Sequence, residues 1–287
     1  MVFLHTGVEC FGTVARGGSG RAGSRIPQGH PGVPGSWRSS AARPRPEENR
    51  GTARAGLRYE DPVRLRTKIH RVRLGRDEYR VVTPARQTAG ALLYAGPGST
   101  YMHLHLDRQG AEDLATAWAL AARSRRSLVH LPLRANAGPA GLGDVPSEDR
   151  LDLLLVHHSL GFPASRWKEV RARLGAGTPH TVDLPVTDFP SDEEIDYERH
   201  RFAGWRDRLR FSGAAHTLVV TGSPTAFRWS GSQLHEFTRE APGWRFGWRP
   251  DAHYCIELDH EGWGSGRAAK GVPASLHIVY AHRWQAG

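Results

Sequence analysis

The chain of 287 residues carries 39 Lys and Arg against 29 Asp and Glu, a formal charge of +10, with 39% hydrophobic residues and a mean hydropathy of −0.51. This mixture excludes a collagen-like, coiled-coil or wholly disordered chain, and the length suits one large domain or two small ones. The charge is confined to one end. Residues 1–86 hold 17 basic and 7 acidic side chains and residues 87–287 hold 22 of each, so most of the chain lacks the basic excess of a nucleic-acid-binding module.

Residues 1–56 include 11 Gly, 8 Arg, 5 Pro and 5 Ser, too little apolar surface to offset ordering entropy, which predicts a disordered basic tail. Such a tail binds anionic polymers, nucleic acid included, weakly and without sequence preference, or binds nothing. Arg outnumbers Lys 36 to 3, as in a GC-rich genome. That bias also fits a tail that is upstream sequence read in frame, with a non-Met start such as Val63, because Met102 is the only internal Met and comes too late to begin the fold. Met1–Gly7 lacks the charged and apolar regions of a secretory signal. The longest uncharged run, Gln87–Leu106, contains Gly96-Pro97-Gly98 and two histidines and is no membrane span. These features point to a cytoplasmic protein. Cys10 and Cys255 offer neither a disulfide framework nor a CxxC pair.

The ordered part opens with strands over Val63–Val72, Tyr79–Thr83, Ala89–Tyr94 and Tyr101–Leu106, which alternate or cluster apolar residues between turn signals. A helix over Gln109–Ser124 follows, with the stripe Leu114, Trp118 and Ala121, then a strand at Ser127–Leu133 and a Gly/Pro-rich loop over Asn136–Arg150. Leu151–Val156 is a continuous apolar run, as in a strand buried on both faces. Pro163 starts a helix with the stripe Trp167, Val170 and Leu174 and Gly175 past its end, and His180–Val186 returns as a strand. This strand-helix-strand order argues for a partly parallel sheet. The capping box Ser191–Glu194 predicts a helix to about Arg210. His216–Thr221 reads as a buried strand, Pro224–Glu240 as a helix or a hairpin plus helix, and His253–Asp259 and Ser275–Ala281 as closing strands. The expected fold is one α/β domain over residues 57–287, a mixed, partly parallel sheet flanked by helices, behind the 1–56 tail.

Side chains alternate across a strand, so Tyr101, His103, His105 and Asp107 share one face, and His253, Cys255, Glu257 and Asp259 are likewise set apart from Tyr254, Ile256 and Leu258. Imidazole and carboxylate on one face are ligand types for zinc or a similar divalent ion, which makes His103, His105 and Asp107 the candidate metal ligands. A strand with one wet face alternates in the same way, and Asp107 is equally placed to cap the next helix. In open α/β sheets, ligands bind beyond the carboxyl ends of strands. Three such loops carry reactive types: His105–Asp107, His157-His158-Ser159 and Thr221-Gly222-Ser223. His157, His158 and Ser159 are the candidate catalytic residues, although Ser159 lacks a Gly-x-Ser-x-Gly elbow and serine in such a loop also serves as a turn or cap. Cys255 reads as a small strand residue. No Walker-type loop and no GxGxxG fingerprint occurs.

The run His103–Gly110, HLHLDRQG, partly resembles the HxHxDHxGG signature of metallo-β-lactamase-type hydrolases, and Leu92–Gly98 resembles the strand end that precedes it there. Thr178–Thr181 resembles that family's next histidine segment. Arg108 stands where the signature has its last histidine, Ala89–Pro97 lies almost against the motif where the family has a longer segment, and Val219–Gly222 offers no bridging Asp. The similarity is short and is taken as coincidence.

Six tryptophans, Trp205, Trp229, Trp244, Trp248, Trp263 and Trp284, crowd the last third of the chain, and Gly243–Arg249 interleaves rings with guanidinium groups. That segment could stack on bases, sugars or a protein partner, or its rings could cover the core. Three function classes follow: a soluble hydrolase with a His/Asp site at the strand-helix loops, metal-assisted and acting on a small-molecule substrate; a non-catalytic domain that binds a protein partner or ligand through the Trp/Arg segment; and weak nucleic-acid binding through residues 1–56.

Overall fold

The computed structural model describes residues 63–96, 101–191, 194–196, 207–244, 253–259 and 275–284. The predicted tail lies outside them, as do Trp205, Trp248 and Trp263. The described residues form eleven strands: β1 (Val63–Leu74), β2 (Asp77–Pro84), β3 (Ala91–Ala95), β4 (Tyr101–Leu106), β5 (Ser127–Leu131), β6 (Arg150–His157), β7 (Thr178–Leu184), β8 (Arg210–Gly213), β9 (Thr217–Gly222), β10 (Cys255–Asp259) and β11 (Ser275–Tyr280). Among the described residues three α-helices accompany them: α1 (Arg108–Arg123), α2 (Trp167–Ala172) and α3 (Pro224–Glu240). The strands join in one mixed sheet of order β10-β11-β4-β3-β6-β5-β2-β1-β7, with β9 also paired to β6 and β8 to β9. The chain is therefore an α/β protein with a partly parallel sheet flanked by helices. Among the described residues, no helix is long and apolar enough to cross a membrane.

The parallel pairs differ from the expected one. They are β2–β5, β6–β9 and β4–β11, whereas β7, reached from β6 through α2, pairs antiparallel with β1 at the sheet edge. Helix α2 is only six residues long, preceded by a 3-10 turn at Ala164–Arg166, and its connection runs to the far edge rather than to a neighbouring parallel position. The helix expected over 191–210 falls mostly outside the described residues. Its expected end, Arg210, opens a strand instead, pairing with Thr221, and the following Phe211 and Ser212 pair with Val220 and Val219. Pro224–Glu240 is one helix, with Pro224 in its first turn and the Ser223 hydroxyl accepting the Ala226 N–H at 3.0 Å.

Strand β6 sorts the core. Leu153 and Leu155 join the cluster that α1 and α3 cover with Leu114, Trp118, Phe227 and Phe237, whereas Leu154 and Val156 join a second cluster on the other face with Trp167 and Val170. Trp118 meets Phe227 edge-on at 5.4 Å and donates its indole N–H to Ser230 at 2.8 Å, tying α1 to α3. The start of α1 is held close to the start of β3. A Cβ on Gly110 would collide with the Gly90 carbonyl, and one on Gly90 would collide with the Asp107 carboxylate.

Asp152 lies buried on the α2 side of β6. Its Oδ1 accepts the N–H groups of Leu133 at 2.9 Å and Arg134 at 3.1 Å, and its Oδ2 accepts from Arg171 at 3.2 Å with the His130 ring 3.7 Å away. Burial opposes ionisation, but the His130 ring and these N–H groups outweigh it and hold the carboxyl below the usual carboxylate range. We expect Asp152→Asn to cost about 3 kcal/mol at neutral pH by leaving buried partners without their charge. The wild type's advantage is complete above the unfolded pKa of about 3.9 and is lost as pH falls through the lower folded value. Urea unfolding of both proteins at neutral and acid pH checks this: a gap that narrows in acid agrees, and one that stays constant or widens does not.

Candidate functional site

The helix side of β4 is apolar: Leu104 and Leu106 are fully buried, and Met102 packs on the same cluster. The alternation of the strand therefore turns His103 and His105 to the opposite face. Pairing extends that face across four strands. His103 lies opposite Tyr94 of β3 and His277 of β11, His105 lies opposite Leu92 and Val279, and Cys255 of β10 lies opposite Val279. Directly opposed residues share a face, so Tyr94, His103, His105, His277 and Cys255 belong to one surface, with His253 two residues before Cys255.

The side chains meet there. The Tyr94 ring stacks on His103 at 5.3 Å and on His105 at 5.8 Å, and its hydroxyl lies 3.3 Å from His105 Nε2. The His277 ring is 5.6 Å from that of His103 and 5.6 Å from that of His253. One ligand atom from each of His253, Cys255 and His277 lies within 4.8 Å of the other two. The Nε2 atoms of His253 and His277 are buried and, among the described residues, have no hydrogen-bond partner. Crowding of partly buried imidazoles sets their electrostatics. Burial, then His103, His277 and His253, bring the pKa of His105 down to about 4. Burial, then His103 and His253, bring His277 to about 4 as well. Burial also lowers His103 and raises the Tyr94 phenol. His105 and His277 are thus neutral at physiological pH, the form in which an imidazole accepts a proton or binds a metal.

The other residues singled out in the sequence fall elsewhere. Asp107 caps α1: its Oδ1 accepts the Gly110 N–H at 2.8 Å. Arg108, at the position of the missing signature histidine, pairs with Glu112 at 3.3 Å. An open cleft of about 330 Å³ lies at the carboxyl ends of β4 and β11, lined by Asp107, Arg108, Glu112 and His282 among others, but neither His103 nor His105 lines it. His157 ends β6 and is buried, whereas His158 and Ser159 are exposed. The His157 Nδ1 accepts the Ser159 N–H at 3.2 Å, and the Ser159 hydroxyl lies 2.8 Å from the same nitrogen and donates to the Arg125 carbonyl at 3.2 Å. These bonds close a 3-10 turn at His158–Leu160. Among the described residues His157 Nε2 has no partner, so no carboxylate orients the ring as a triad requires. The neighbours of His157 are His158, Ser159 and Arg125, whereas those of His105 are Tyr94 and the other three histidines of the sheet face.

Two contributors to this face, His277 and Tyr94, were not singled out by sequence. Both sit at alternating positions of the correct parity, but the signal becomes readable only when β11 and β3 are known to flank β4. Trp244, half-buried, packs edge-on against Tyr254 at 5.4 Å on the other side of β10, and the rest of the Trp/Arg segment lies outside the described residues. Comparison with protein-family models finds no match, and no match is found among curated proteins or solved structures.

Asp107→Ala is expected to cost about 1 kcal/mol through loss of the helix cap, and Asp107→Ser to restore most of it. Urea unfolding of the wild type and both variants checks this: an Asp107→Ser midpoint close to the wild type agrees, and one as low as that of Asp107→Ala does not.

Proposed function

We propose that the chain is a hydrolase whose chemistry takes place on the histidine face of β3, β4, β10 and β11, assisted by a divalent metal such as zinc. The observation that carries this reading is the meeting of metal-binding donor types with neutral imidazoles on one half-buried surface. A bound ion supplies a Lewis acid for a carbonyl or phosphoryl oxygen and acidifies a water molecule. In the tautomer that donates Nε2–H to the Tyr94 hydroxyl oxygen 3.3 Å away, His105 would keep Nδ1 as its basic nitrogen, which would take the attacking water's proton and pass it to the leaving group. The His103 ring, stacked on Tyr94, fixes the position of that pair. The substrate class is a small ester, amide or phosphate ester. The working unit in this reading is residues 57–287, with residues 1–56 as an appendage.

The test uses the full-length chain, stripped with a chelator and then reloaded with zinc, against p-nitrophenyl acetate, p-nitrophenyl phosphate and an amino-acid p-nitroanilide. Zinc-dependent turnover of at least one of these is expected, with kcat falling ~100-fold in His105→Gln as a general base is removed. Equal rates with and without metal, or a His105→Gln variant as active as wild type, overturn the reading.

A further inference from the structure

Among the described residues, the face described above contains one set of donors close enough to act together, and its composition is more specific than a generic divalent site. Cys255 opens β10 with His253 two residues before it, and His277 projects from the same side of the paired strand as Cys255. Their ligand atoms lie within 4.8 Å of one another. In a tetrahedral zinc site, bond lengths of about 2.0–2.3 Å place neighbouring donors roughly 3.5 Å apart, so side-chain rotations of about an ångström would close the set. The buried Nε2 atoms of His253 and His277 lack hydrogen-bond partners among the described residues, an expense that a metal bond would remove. His103 and His105 border the set and Tyr94 backs them, while Glu257, opposite His277 on the paired strand, puts a carboxylate on the same face.

We propose that His253, Cys255 and His277 form a mixed thiolate-imidazole metal centre that selects zinc or another thiophilic ion over magnesium and calcium. Two nitrogens and a sulfur suit a borderline-soft ion, whereas magnesium and calcium demand oxygen donors. Three protein ligands leave a fourth position for water or substrate. The centre stands independently of the hydrolase reading: zinc binding without turnover leaves it intact and removes the enzyme, whereas zinc-dependent turnover by a chain in which Cys255 is no ligand removes this centre and leaves the enzyme.

The experiment is a titration of the reduced, metal-stripped full-length chain with cobalt(II), followed by zinc competition. The expected result is one cobalt per chain with a thiolate-to-cobalt charge-transfer band, bleached by zinc and unaffected by excess magnesium. Cys255→Ser is expected to abolish the band, and His253→Ala and His277→Ala to weaken zinc binding by at least ~100-fold, while His180→Ala on β7 changes nothing. In case a variant fails to fold, alkylation of the wild-type chain gives a second readout: zinc is expected to slow modification of Cys255, followed by peptide mass spectrometry. Absence of a charge-transfer band, or no protection of Cys255 by zinc, overturns the proposal.

Discussion

The structure depends on how β6 is enclosed. Every residue from Asp152 to His157 is buried, β3 pairs with its first residues, and β5 and β9 pair with the remainder. A strand surrounded in this way has no room for polar side chains unless each is bonded. Asp152 meets that condition with two backbone N–H groups and Arg171. The same enclosure divides the sheet. One face is covered along both halves by α1 and α3 with their neighbours, but the second core cluster draws on β1, β2, β5, β6 and β9 and takes no residue from β3, β4, β10 or β11. On those four strands the second face carries the buried Leu92 and Val279 together with polar and titratable side chains, and that is where the histidines gather.

Placing several imidazoles on one half-buried surface costs solvation, and each depresses the basicity of the next. Tyr94 offsets part of this cost by stacking on two of the rings and contacting one through its hydroxyl. The remainder falls on His253 and His277, whose buried Nε2 atoms have no protein partner among the described residues. Among the described residues, buried unpartnered nitrogens also occur on His130 and His157, and what sets His253 and His277 apart is that their ligand atoms and that of Cys255 lie within 4.8 Å of one another. At His157 one ring nitrogen serves a turn, Nδ1 accepting the Ser159 N–H, while its Nε2 is, like those of His253 and His277, buried without a partner among the described residues.

Local periodicity made most elements legible. The alternation of Val63–Val72, the apolar run of β6 and the Leu114/Trp118 stripe of α1 were readable because each depends on residues near in sequence. What was not readable depended on pairing between distant segments. Parallel neighbours were expected around α2, but they arise where β2 meets β5, β6 meets β9 and β4 meets β11. The sheet face was half legible for the same reason: the HxH of β4 and the His253/Cys255 pair each announced a polar side, but their joining through His277 and Tyr94 required β11 and β3 between and beside them. Asp107 illustrates the opposite limit. A carboxylate just before a helix has a local partner in the first turn, and that hydrogen bond forms here.

The most direct measurement is zinc-edge X-ray absorption on the full-length chain loaded with one equivalent of zinc under reducing conditions. The account predicts a first shell containing one sulfur at about 2.3 Å together with nitrogen donors at about 2.0–2.1 Å. A shell made only of nitrogen and oxygen, or zinc that does not remain with the protein, would contradict it.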